Sequence, residues 1–142
     1  MKPHKINPKS EKHPIAIGYW KSDDAPYFPD PHQFVRHDIE PGLRIIVAEY
    51  LDRGTHFIPF LGHSWCRFKC GANENVMGSF CFTDGDYIWP QGLSHYIKIH
   101  DVWLPDDFIK HVIINTSKDI SNVDLSKLDL HDYNWWLGVT SI

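Results

Sequence analysis

The apolar positions of this chain change period several times, and each change marks an element. Between Pro41 and Arg53, Leu43, Ile46, Val47, Tyr50 and Leu51 recur at helical spacing, with Ile45 off the stripe. Pro41 suits a first helical turn and Gly54 stands just past the end, so this is the clearest helix. Residues 55–62 have strand character, but Pro59 assigns them to a sheet edge. Ser64 to Cys70 alternates, with Cys66, Phe68 and Cys70 facing one way and Trp65, Arg67 and Lys69 the other, which predicts a further strand.

The stretch from Met77 to Phe108 organises the rest. Asp84-Gly85 is the preferred dipeptide of a two-residue type I′ turn. That turn sets Phe82 against Tyr87 and Phe80 against Trp89 on one face of a hairpin, and Cys81 against Ile88 on the other. Pro90 then starts a short helix whose apolar face carries Leu93, Tyr96, Ile97 and His100, with His95 and Lys98 on the solvent side. Pro105 begins a second helix, Asp106 to Val112, with two acids in the first turn where the dipole favours them.

The flanks read less sharply. Residues 1–14 are basic, contain proline and hold almost no large apolar side chain, which predicts a disordered tail. Residues 15–20 (IAIGYW) read as extended. Residues 21–33 form a long loop with three prolines, anchored by Tyr27 and Phe28. Residues 121–130 predict a short helix or an extended arm. Tyr133, Trp135, Trp136 and Leu137 are too bulky for a free tail and are expected to dock on the domain or on a partner. The expected fold is one α+β domain over residues 15–142. It has a small, mostly antiparallel sheet of three to four strands around the central hairpin, with two to three short helices on it.

A chain of 142 residues, 42% hydrophobic and 14% aromatic, can fill one core with large rings. It contains no apolar run near ~20 residues, so no membrane span is expected, and without an apolar signal block a cytoplasmic location is. A net charge of -4 argues against a general nucleic-acid binder. Three cysteines, an odd number, fit a reducing compartment better than a disulfide framework.

Ten histidines are the compositional oddity, but none falls in an HxH or HExxH cluster. Cys66 and Cys70, with Cys81, His95 or His100, suggest zinc chemistry. On a straight strand, however, residues four apart are separated by about 13 Å, too far to share one ion or form a disulfide. Only a tight knuckle between them would allow it, so no cofactor is favoured and zinc is the one candidate. His95 near Asp84 or Asp86 would be an acid or base, and Cys81 with His95 or His100 a thiol and base. No serine has an elbow context, and no phosphate-cradling loop is present. Asp84 and Asp86 around Gly85 are explained by turn chemistry, because the rest of a calcium-loop ligand series is missing. Trp65 with Arg67 and Lys69 forms a basic–aromatic face, and Tyr27, Trp135 and Trp136 are further candidates for binding.

The run Gly62, Ser64, Cys66-Arg67, Cys70-Gly71, Gly78-Ser79, Thr83-Asp84-Gly85, Trp89-Pro90, Gly92-Leu93, His95-Tyr96, His100, Val102, Leu104-Pro105 and Phe108 resembles a family of small uncharacterised bacterial proteins. They share a TDG turn, a WP-x-GL-x-HY helix and an H-x-V-x-LP end. The likeness covers the middle third of the chain and implies a bacterial type of protein, but no activity. The first-ranked expectation is a non-catalytic cytosolic module that binds another protein, of an immunity or regulatory kind. The alternative is a small metal-dependent or thiol enzyme using Cys66, Cys70, Cys81, His95 and His100. A nucleic-acid accessory, resting on Arg67, Lys69 and the basic tail, ranks third.

Overall fold

The computed structural model describes residues 14–59, 65–71, 77–78, 80–128 and 133–140. The proposed tail therefore lies almost wholly outside the described residues, as do residues 60–64, which hold the end of the strand predicted over 55–62 and the start of the one predicted over 64–70. Helix α1 spans Pro41–Asp52. It is entered through Glu40, whose carboxylate accepts from the backbone N–H of Gly42 and Leu43 at 3.0 and 3.1 Å, satisfying two donors that the first turn leaves orphaned. Val47, Ala48, Tyr50 and Leu51 form its buried face, while Ile45 and Ile46 stay exposed. The stripe is thus turned slightly from the predicted one.

Four strands follow the order β1-β4-β3-β2 in one sheet, where β1 is Ile15–Ala16, β2 is Thr55–Pro59, β3 is Phe80–Thr83 and β4 is Tyr87–Pro90. Both β2–β3 and β3–β4 are antiparallel, and β1 alone runs parallel to its neighbour. Strand β2 is an edge, as Pro59 predicts. The helices are α2 at Leu93–Ile99, α3 at Asp106–Asn115 and α4 at Asn134–Thr140. This is the expected small α+β domain, with one more helix than expected.

The hairpin keeps its faces but not its register. Phe82 lies opposite Trp89, and Thr83 opposite Ile88, two residues away from the predicted pairing. The cause is the turn. Asp84 Oδ1 accepts from the N–H of Asp86 (2.9 Å) and Tyr87 (2.8 Å), and Thr83 Oγ1 accepts from Gly85 N–H (3.0 Å). These side-chain bonds favour a wider loop than a two-residue turn. A slip of two leaves every side chain on its predicted side. Pro90 closes β4 and does not open a helix; Gly92 takes the N-cap of α2.

Trp89 is fully buried and its indole N–H donates to Leu51 O at 3.0 Å, fixing the hairpin to the end of α1. Tyr50 and Phe108 close around that ring, at 6.1 and 6.0 Å between centroids. Here the chain needs Gly54 for room and not for a left-handed backbone: a Cβ would lie 2.7 Å from Phe82 Cβ and 3.0 Å from Trp89 Cζ2. Beside β1, Trp136 from α4 is fully buried, donates to Tyr19 O at 2.9 Å and meets Trp20 edge-on at 5.4 Å. Residues 125–127 form a 3-10 turn, where the sequence predicts a short helix or an extended arm over residues 121–130.

Gly54→Ala is expected to destabilise the domain by about 1–3 kcal/mol through overpacking. Urea unfolding monitored by tryptophan fluorescence measures it; an unchanged midpoint would show that the hairpin and α1 are not in such close contact.

Candidate functional site

The segment around Cys66 is not a strand. Lys69 N–H donates to Cys66 O at 3.0 Å, and the backbone turns left-handed at Lys69 (φ 52) and again at Gly71 (φ 82). A non-glycine residue in that region is uncommon and marks a forced turn. The turn folds Cys70 back toward Cys66, the knuckle that a straight strand forbids. The opposite pair comes from α2. His95 lies within the helix, but His100 is its C-cap, at φ -115 and ψ 11. Helical spacing would put the two imidazoles on different faces; the break at the cap brings their ring centroids to 5.0 Å. The burial is also the reverse of expectation, with His95 buried and His100 half-buried.

Cys66 Sγ lies 3.3 Å from His100 Nε2, and Cys70 Sγ lies 3.4 Å from His95 Nε2. All four atoms lie within 4.8 Å of one another, a set that could hold one metal ion. A tetrahedral zinc with two sulfur and two nitrogen ligands has S···N edges of about 3.5 Å, from its bond lengths. Burial, reinforced by His100 and Lys98, holds His95 below the ordinary imidazole range; burial, then His32, does the same to His100. Both rings are therefore neutral near pH 7, the state that offers a lone pair to a metal. Burial pushes the Cys66 thiol up; a dication between the sulfurs would reverse that sign.

The supports are already in place on both sides. Tyr96, next to His95, accepts from Arg67 N–H at 3.0 Å and donates to Trp65 O at 3.3 Å. Arg67 ties the same loop to Lys21 O, Trp20 O and Trp65 O. Phe68 stacks on His100 at 4.3 Å and meets His32 in a tilted contact at 4.1 Å. At the far end of α2, Arg44 donates to the carbonyls of Ile97 (3.3 Å), Asp101 (3.1 Å), Val102 (3.1 Å) and Arg36. It thereby stabilises the turn that carries His100, where Asp101 has φ 57.

A second cluster joins Asp84, Asp86 and His111. Its chemistry is self-contained. Asp84 Oδ2 accepts from Tyr50 O–H and lies 2.7 Å from His111 Nε2, while Oδ1 serves the two turn amides. Asn115 Nδ2 faces His111 Nδ1 at 3.2 Å, which places the ring proton on Nε2, toward Asp84. Four bonds occupy the lone pairs of this carboxylate, so the cluster reads as a clamp from the hairpin turn to α1 and α3. Burial raises the Asp84 carboxyl, but the bonds from His111, Tyr50 and Tyr87 outweigh it and leave it below the usual range.

The other candidates are dispersed. Cys81 is buried outside the four-residue cluster, its thiol 3.1 Å from Tyr19 Oη, and burial pushes it up to about 11, away from the thiolate form that a nucleophile uses. Trp136 is sealed in the core and so is lost as a binding residue; Trp135 is half-buried against Tyr87. Arg67 spends its donors on backbone carbonyls, with its guanidinium 4.4 Å over the Trp65 ring. Trp65 and Tyr27 remain exposed, at 49% and 47%. A groove of about 520 Å³ beside His95 holds Ser94, Asp52 and Lys98, whose polar atoms satisfy one another at 2.5 and 3.5 Å. No helix among the described residues is long and apolar enough to cross a membrane. In comparisons with known proteins, no family model, curated protein or solved structure matches this chain.

Asp84→Asn is expected to cost about 1–3 kcal/mol near pH 7. Because the folded carboxyl is depressed, its contribution is present above the unfolded value of about 4 and is lost as pH falls through the folded one. The gap between wild type and variant, measured by chemical unfolding across pH, is expected to close in acid; a gap constant with pH would remove the charge from the account. Arg44→Lys is expected to destabilise almost as much as Arg44→Ala, since one ammonium cannot span four carbonyls. Thermal unfolding of the two variants decides it.

Proposed function

We propose that this chain is a zinc-stapled binding domain. Cys66, Cys70, His95 and His100 hold one Zn2+, and the domain works by recognising another protein and not by catalysis. The observation that carries the reading is the convergence of two thiols and two imidazole nitrogens, from a tight turn and from α2, within 4.8 Å. Two soft and two borderline ligands in this number suit zinc. Four protein ligands complete a tetrahedron and leave no open position for a substrate or an activated water, which supports a structural ion. The polar groups outside the cluster are engaged with one another, which argues in the same direction. Trp65, half-exposed on the metal-binding loop, and Tyr27 supply aromatic surface of the kind enriched at recognition sites.

A metal-dependent enzyme is the second reading, and the groove beside His95 with Ser94 and Asp52 is what favours it. Cobalt substitution separates the two. The visible spectrum of a four-coordinate thiolate complex supports the structural ion, whereas a five-coordinate spectrum that responds to added anions supports the enzyme.

Protein purified without a histidine tag is expected to carry one zinc per chain by elemental analysis, and chelation is expected to lower its melting temperature. Cys70→Ser and His95→Ala should each abolish stoichiometric binding. Phe68→Ala, which removes only the ring stacked on His100, should weaken it by about tenfold. Trp65→Ala and Tyr27→Ala should leave zinc content and stability within about 0.5 kcal/mol of wild type, as residues available for recognition. Metal-free wild type, in a chain that remains folded and reduced, would sink the reading.

A further inference from the structure

The two sulfurs of the cluster differ in a way that a purely structural ion does not require. Cys66 is buried, whereas Cys70 is exposed. Both come from one turn, closed by the Lys69 N–H bond to Cys66 O, so they can approach each other without separating two packed elements. The imidazole ligands come from α2 and its C-cap, which Arg44 and the core hold independently of any ion. Cys81 stands apart, buried against Tyr19.

We propose that Cys66 and Cys70 are a redox modification site, in which hydrogen peroxide converts the zinc-bound thiolates into a disulfide and expels the ion. The proposal rests on the zinc reading above. The Cys70 thiolate is the accessible one and attacks the peroxide. An S–O bond forms, the O–O bond breaks, and the leaving oxygen takes a proton from solvent as water. Cys70 is then a sulfenic acid. The Cys66 thiolate attacks its sulfur, forming the S–S bond and breaking the S–O bond, and the second oxygen leaves as water with another solvent proton. The two sulfurs lose two electrons and the peroxide gains two. A disulfide sulfur is a poor zinc ligand, so two imidazoles alone remain and the ion dissociates. The loop of residues 65–71 loses its metal staple, while its bonds from Tyr96 and Arg67 keep it near α2. The exposed Trp65 on that loop links the redox state to the surface proposed for recognition.

The test uses the full-length zinc-loaded protein without a histidine tag, titrated with hydrogen peroxide. Zinc release is read with a chelating dye and the thiols are mapped by peptide mass spectrometry. Release of one zinc per peroxide consumed, with a Cys66–Cys70 disulfide and full rebinding after a dithiol reductant, is expected. Cys81→Ser should behave as wild type. Zinc retained while peroxide oxidises other residues, an intermolecular disulfide, or irreversible oxidation of Cys70 would each overturn the redox site and leave the zinc reading standing. A protein that takes up no zinc before peroxide is added overturns both.

Discussion

Four backbone carbonyls converge on the guanidinium of Arg44, and the candidate site depends on what that convergence does. Residues 97, 101 and 102 supply three of them, all from the end of α2 and the turn beyond it, and residue 36 supplies the fourth. Carbonyls at a helix C-terminus have no intrahelical partner, and burying them unpaired is costly. Arg44 has a side chain only 12% exposed, and its planar fork satisfies several at once. The bridge between Val35 and Val102 adds a backbone clasp at the same place. His100 sits between the last turn of α2 and this clasp, so its ring has little freedom to leave the position facing Cys66.

The rest of the scaffold brings α2 to the right depth. Contacts from Asp52 to Ser94 and from Arg44 to Ile97 show the two helices running antiparallel along each other. Trp89 ties the other side of α1 to the hairpin, and the Asp84 clamp ties the hairpin turn to α1 and α3. The loop of residues 65–71 is thus the last layer, laid over α2 by Tyr96 and Arg67. A site composed of one rigid helix and one tethered loop would gain most from an ion, because a crosslink stabilises most where the chain is otherwise free.

Much of this fold was legible in the residues, and the exceptions share a cause. The α1 stripe, the proline-entered α3, the edge position of β2 and the faces of the hairpin follow from period and turn chemistry, which are local. The hairpin register did not follow, because Asp84 prefers bonds to its own turn and to His111, and His111 lies 27 residues away. The Cys66–Cys70 turn was hidden by alternation: cysteine, phenylalanine and cysteine at every second place mimic a strand, and the left-handed Lys69 has no sequence mark. Gly71 directly after Cys70 was the available signal. His95 and His100 looked divergent only while the helix was extended through His100; Asp101, which tolerates a left-handed backbone, marked where it stops. The bulk of Trp135 and Trp136 pointed to docking on the domain or on a partner, and their adjacency hid that Trp136 is sealed inside the domain while Trp135 is only half-buried.

The bond from Trp136 to Tyr19 joins positions 117 residues apart. Closing so long a segment of chain is entropically unfavourable until the intervening core exists to hold its ends near each other. The clasp is therefore set to form late in folding and to open early by fraying, with α4 lifting from β1 as a unit. Opening would remove the contact of α4 with β1, the terminal strand of the sheet, and a terminal strand left uncovered invites pairing with another chain. The indole that closes the fold thus also guards it against self-association.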